Sequence, residues 1–125
     1  GRAIRAAQVL GADYVYMGTR FIPTEESLAQ DGYKAMVIEA SGSDIISSDS
    51  ITGVKANWLK DSLIKGGYDV DNMPPPGAID FLAAADDVKR WRDLWAAGQA
   101  VGSSERLQSI AEVVEQLDHE YRACL

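Results

Sequence analysis

Apolar positions fall first at helical spacing and then in one short unbroken run. Ile4, Ala7 and Val9-Leu10 share one side of a helix over residues 1–10, with Arg2, Arg5 and Gln8 mostly elsewhere, and Gly11 stands where such a helix stops. The next segment, Ala12-Asp13-Tyr14-Val15-Tyr16-Met17, is a run of β-formers closed by Gly18. It predicts a strand buried on both faces, as in parallel sheets. Helix, glycine, short apolar strand, glycine is the rhythm of an α/β protein. After the loop from Gly18 to Pro23, Thr24 is placed to cap a helix with Glu25 and Glu26 in its first turn. Tyr33, Met36, Val37 and Ala40 extend that helix's apolar stripe, which Gly32 either interrupts or kinks.

The rest reads as mainly helical. Residues 41–50 are rich in Ser and Asp, with Ile45-Ile46 as a possible strand. Val54 to Ile64 reads as a helix carrying Trp58, Leu59 and Leu63 on one side, ended by Gly66-Gly67. Residues 68–78 include Pro74-Pro75-Pro76-Gly77, which neither a regular helix nor a central strand accommodates, so they read as a surface excursion. Helical patterning returns over residues 79–97, with Trp91 and Trp95 one turn apart, and Gly98 to Gly102 breaks it. Ser103 or Ser104 then caps a last helix with Leu107, Ile110, Val114, Leu117 and Tyr121 as its stripe. A lone strand leaves its backbone groups unpaired, and the opening helix has no capping residue before it. Both features lead to the expectation that the chain continues upstream of Gly1, with the partner strands there.

Composition narrows the function classes. The 125 residues carry 12 Lys and Arg against 19 Asp and Glu, a net charge of −7. That balance argues against a nucleic-acid surface and an anionic membrane face. No apolar run reaches the roughly 20 residues that span a bilayer. The single cysteine, Cys124, excludes an internal disulfide and makes the reducing cytoplasm the expected compartment. Against this acidic background, Arg2, Arg5 and Arg20 face only Asp13 in the first 22 residues, which suits an anionic ligand near the strand.

Candidate chemistry concentrates in Met17-Gly18-Thr19-Arg20-Phe21. This is the end of a buried strand, where α/β proteins bind ligands. Gly18 permits close backbone approach, consecutive N–H groups can cradle an anion, Thr19 adds a hydroxyl and Arg20 a permanent cation. The plainer alternative is a turn at Gly18 and a surface ion pair at Arg20. Elsewhere the residues read as structural. His119, flanked by Asp118 and Glu120, reads as a solvated helix residue, and no set of His or Cys has metal-ligand spacing. Asp44, Asp49, Asp61, Asp69, Asp71, Asp86 and Asp87 read as caps and solubility charges, and Cys124 on the terminus is a poor nucleophile. Trp58, Trp91 and Trp95 read as core anchors. Gly98-Gln99-Ala100-Val101-Gly102 lacks the third glycine and preceding strand of a dinucleotide fingerprint.

Taken together, Leu10-Gly11-Ala12-Asp13-Tyr14-Val15-Tyr16-Met17-Gly18-Thr19-Arg20-Phe21 followed by Thr24-Glu25-Glu26-Ser27 resembles the nitronate monooxygenase family, the former 2-nitropropane dioxygenases. Tyr33-Lys34, Thr52-Gly53 with Asn57-Trp58-Leu59, and Trp95 through Gly102 extend the resemblance over nearly the whole chain, Pro74-Pro75-Pro76 matching weakly. It implies the C-terminal portion of an FMN-binding α/β (β/α)8 TIM barrel: residues 1–40 as its last part and residues 41–125 as a mainly helical C-terminal extension packed on it. Gly18 and Thr19 are then expected on the FMN phosphate, Met17 at the same end of the site, and Arg20 in support of the loop. Gly98-Gln99 is expected near the barrel mouth, without an assigned contact.

The implied reaction is oxidation of alkyl nitronates, small molecules, by molecular oxygen through the flavin. The family's catalytic histidine belongs to residues outside this chain, and His119 does not stand in its motif. A barrel takes about 250 residues, so the isolated chain is expected to be inactive and prone to aggregation. Two rivals accompany this reading: a flavin-dependent enoyl reductase on a similar barrel, and a non-catalytic helical interaction module over residues 54–122.

Overall fold

The structure is a computed structural model and describes residues 1–76 and 90–124. Its first helix, α1 (Arg2–Val9), forms where the pattern placed it, and the Gly11 N–H closes on the Gln8 carbonyl at 2.9 Å with Gly11 at φ +98°. That angle suits glycine, which has no Cβ to clash. Helix α1 packs on the last helix, α5 (Ile110–Arg122). The Arg5 guanidinium lies 5.5 Å from the centre of the Tyr121 ring and donates to its hydroxyl at 3.1 Å.

Residues 12–17 follow without regular secondary structure and with no strand partner among the described residues, so the strand expected there is not formed. Tyr14 is 93% and Tyr16 99% exposed, where burial on both faces was predicted. A strand exists through hydrogen bonds to a neighbouring strand, and among the described residues no strand pairs with this segment. The helix predicted from Thr24 is also corrected. A 3-10 turn at Thr19–Phe21 comes first, the Thr24 hydroxyl donates back to the Phe21 carbonyl at 2.9 Å, and α2 begins only at Asp31 (Asp31–Glu39). Thr24 is pinned instead by long-range contacts: it bridges Gln108, and the buried Lys34 ammonium donates to its carbonyl at 2.7 Å. Glu26 does serve a helix N-terminus, but that of α5, accepting the Ile110 N–H at 2.9 Å. Gly32 sits in the first turn of α2, where an added Cβ would lie 3.1 Å from the Trp95 ring.

Strand β1 (Ile45–Ser48) confirms the possible strand and pairs antiparallel with β2 (Ala56–Leu59), Ile45 opposite Leu59 and Ser48 opposite Ala56. Residues 56–59 were expected in a helix that in fact spans only α3, Lys60–Lys65. Their far edge is occupied too, since Leu59 N–H reaches the Trp95 carbonyl at 2.9 Å and Ala97 N–H the Asn57 carbonyl at 3.2 Å. Hydrogen bonding on both sides outweighs the local helical pattern. The same pairing corrects the helix predicted over 79–97. Residues 77–89 lie outside the described residues, α4 covers Arg90–Asp93, and Leu94 to Ala97 run extended beside β2.

Two apolar clusters flank this sheet. One joins Met36, Val37 and Ala40 to Leu59, Ala97 and Val101; the other joins Ile51, Trp58, Leu63 and Leu94. Trp58 is thus the core anchor it was read as, and Trp95 stacks on Tyr33 with ring centres 5.2 Å apart. Helix α5 is capped by Ser109, not Ser103 or Ser104: the Glu112 N–H donates to its hydroxyl, and Glu112 accepts the Ser109 N–H at 2.8 Å. Its stripe is shifted as well, because Val113 is fully buried while Ile110 and Val114 are exposed. No helix among the described residues is long and apolar enough to cross a membrane.

Candidate functional site

The loop after residues 12–17 opens onto a broad concavity. Met17, Gly18 and Thr19 line a cavity of about 700 Å³, together with the start of α1, the Gly98–Ala100 turn and α5 residues such as Gln116 and Glu120. All three residues singled out for ligand binding therefore meet at one place. Gly18 and Thr19 also line a second cavity of about 400 Å³ with Asn57 and Gly98.

Local geometry leaves backbone donors of this loop open. Phe21 and Ile22 N–H groups close on the Gly18 and Thr19 carbonyls, whereas the Gly18 and Thr19 N–H groups donate to no described residue. An added Cβ on Gly18 meets nothing within 4 Å, so open space lies beside this backbone. The Gly98 N–H donates to Thr19 Oγ1 at 2.8 Å. A hydroxyl has one proton and two lone pairs, so this bond fixes the Thr19 oxygen and leaves its proton to donate into the cavity.

Arg20 stands in the wall of the same cavity and is 6% exposed. Its guanidinium donates to Ser104 Oγ at 3.0 Å, Gln108 Oε1 at 2.9 Å and Gln116 Oε1 at 3.1 Å. That ties the loop to the C-terminal segment, as support rather than as a surface ion pair. Burial lowers the pKa of Arg20 from its usual value, with the charge of Glu120 acting in the opposite direction. Arg2, Arg106, Glu105 and Glu120 add charged side chains to the cavity wall. Ser104, Gln108 and Gln116 were not foreseen as site residues; they stand 84, 88 and 96 positions from Arg20, with no local signal to mark them.

The other candidates behave as structural groups. His119 and Cys124 are exposed, and the Cys124 thiol lies 3.3 Å from the Glu120 carbonyl. Asp44 accepts the Ser41 hydroxyl and N–H, and these bonds hold its carboxyl below the usual range. Asp69 is lowered in the same way by Asn72 and Asp71, while Asp86 and Asp87 lie outside the described residues. No group of acids, His or Cys among the described residues could hold a metal ion. Gly98 and Gln99 stand in the wall of the main cavity.

Comparison with known proteins places this geometry in context. The family described as nitronate monooxygenase matches residues 1–120. A Staphylococcus haemolyticus protein named "Probable nitronate monooxygenase" is 30% identical over 126 residues, covering 94% of this chain and 34% of its own length. A Staphylococcus saprophyticus protein of the same name is 30% identical, covering 86% of this chain and 31% of its own length. The chain thus spans about a third of these relatives. Among solved structures, FabK from Thermotoga maritima superposes with a TM-score of 0.69 at 20% identity, over 99% of this chain and 42% of that one. A mutant of the same protein gives 0.67 at 22% identity, over 98% and 39%. These likenesses assign an α/β, TIM-barrel-related fold.

Proposed function

The chain belongs to the nitronate monooxygenase family, and from that premise we propose that it supplies the FMN-phosphate side of a flavin-dependent oxidoreductase that oxidises alkyl nitronates with molecular oxygen. Residues 1–40 are the closing part of the barrel in this reading and residues 41–125 the extension packed on it, with the cytoplasm as the compartment. The observation that carries the proposal is the convergence of Met17, Gly18 and Thr19 on one cavity of about 700 Å³.

The donor set suits a phosphate. Gly18 and Thr19 offer N–H groups with no internal partner among the described residues, and Thr19 offers a hydroxyl already oriented by Gly98. Met17 contributes an apolar wall beside them. When bound, the flavin supplies the electron transfer between nitronate and oxygen. The chain's own residues hold the phosphate, fix the cofactor's position, and keep the Gly98–Gly102 turn against it.

The test compares FMN with riboflavin, which lacks the phosphate, by quenching of flavin fluorescence in the protein carrying this chain. FMN is expected to bind more tightly, and Thr19→Val to remove most of the difference. Equal binding of the two flavins rejects the phosphate site. Oxygen uptake with an alkyl nitronate, set against oxidation of reduced nicotinamide with an enoyl thioester, then separates nitronate oxidation from the enoyl reductase alternative.

A further inference from the structure

Arg20 is a buried cation whose hydrogen-bond partners are all neutral. Ser104, Gln108 and Gln116 accept from its guanidinium, and no acid forms a salt bridge with it among the described residues. Glu120, whose charge reaches it, accepts from Gln116 at 2.8 Å and forms no salt bridge with Arg20. Charged groups almost never sit this deep unless paired, because water's solvation must be replaced. Neutral dipoles replace part of it, and Glu120 acts on the charge only at longer range, without a salt bridge. Arg20 also lines the main cavity, next in sequence to the Gly18–Thr19 loop.

We infer that Arg20 is the electrostatic counterpart of the cavity's ligand: its unpaired charge sets a positive potential at the Gly18–Thr19 loop and selects a dianionic phosphate over a neutral group there. This rests on the reading of that loop as a phosphate cradle. Arg20 acts through its field and through the position it gives the loop, with three of its N–H groups held by Ser104, Gln108 and Gln116. The inference also explains why those partners are neutral. A carboxylate at any of the three would pair with Arg20 internally and cancel the field.

Gln108→Glu makes that change with almost no change in shape. Gln108 is 4% exposed, and its Oε1 lies 2.9 Å from the guanidinium. The experiment follows thermal unfolding of the protein carrying this chain during titration with inorganic phosphate, with chloride at matched ionic strength as the reference. A ligand of the folded state raises the midpoint by mass action. The wild-type midpoint is expected to rise with phosphate. Gln108→Glu and Arg20→Gln are each expected to need at least tenfold more phosphate for the same rise. Because Gln108 also lines the cavity, Arg20→Lys separates the two roles: it keeps the charge, breaks the guanidinium's network and is expected to retain the phosphate response, whereas a role in packing alone predicts its loss.

Retention of the wild-type response by Gln108→Glu or Arg20→Gln, or its loss in Arg20→Lys, overturns the inference and leaves the cradle reading standing. If Arg20→Gln does not fold, Gln108→Glu and Arg20→Lys decide together. Absence of any phosphate-specific rise in the wild type refutes the cradle itself, and the inference with it.

Discussion

Thr19→Val tests the junction on which both the fold and the site depend. Valine keeps the shape and removes the oxygen that accepts the Gly98 N–H at 2.8 Å. The Gly98 donor is then orphaned at a part-buried position, a loss of about 1–3 kcal/mol for a fully buried group. Water reaches this site from the cavity, so the lower end applies, about 1 kcal/mol. For a domain of this size that is a fall in Tm of about 4 °C. Phosphate binding loses a second contribution, the hydroxyl donor to a charged oxygen, worth about 1.5–3 kcal/mol, which is about ten- to hundredfold in affinity. Thermal unfolding with and without phosphate measures both quantities on one sample. Thr19→Ser keeps the oxygen and is expected to restore most of each. The reasoning is refuted if Thr19→Val melts within about 1 °C of wild type and responds to phosphate as wild type does.

Three further outcomes follow from the packing and capping. Ser109→Ala removes the cap of α5 and is expected to cost about 1 kcal/mol in urea unfolding. The same pair has a pH signature: hydrogen bonds from Ser109 hold Glu112 below its ordinary pKa. Its contribution is therefore present at neutral pH and lost as pH falls through the lowered value, a dependence that melting curves of Ser109→Ala should show reduced. Leu63→Ala empties a fully buried position between Ile51, Trp58 and Leu94 and is expected to cost about 2–5 kcal/mol by the same unfolding measurement. Lys34→Met leaves the Thr24 carbonyl without its 2.7 Å donor and is expected to loosen residues 24–26, seen as faster amide exchange at Glu25 and Ile110.

What was legible along the chain is what neighbours in sequence decide. The helix ending at Gly11, the stop at Gly66-Gly67 and the Met17-Gly18-Thr19 loop follow from a few adjacent residues, since a positive φ or an apolar face is a local requirement. The family resemblance rests on the same local blocks. The misread segments are those whose hydrogen bonds lead far away. Ala56–Leu59 carries a helix-like spacing of Trp58, Leu59 and Leu63, yet Ile45-Ile46 on one edge and Leu94 to Ala97 on the other make it a strand. Residues 12–17 have the composition of a strand, but no partner among the described residues to make them one. Ser103, Ser104 and Ser109 are equally good caps as residues; Ser104 is drawn to Arg20 and Ser109 has Glu112 three positions on. The site divides in the same way. Its loop is a local motif, whereas the neutral cage around Arg20 is assembled from residues more than 80 positions away, and only folding brings a lone buried charge to the wall of the cavity.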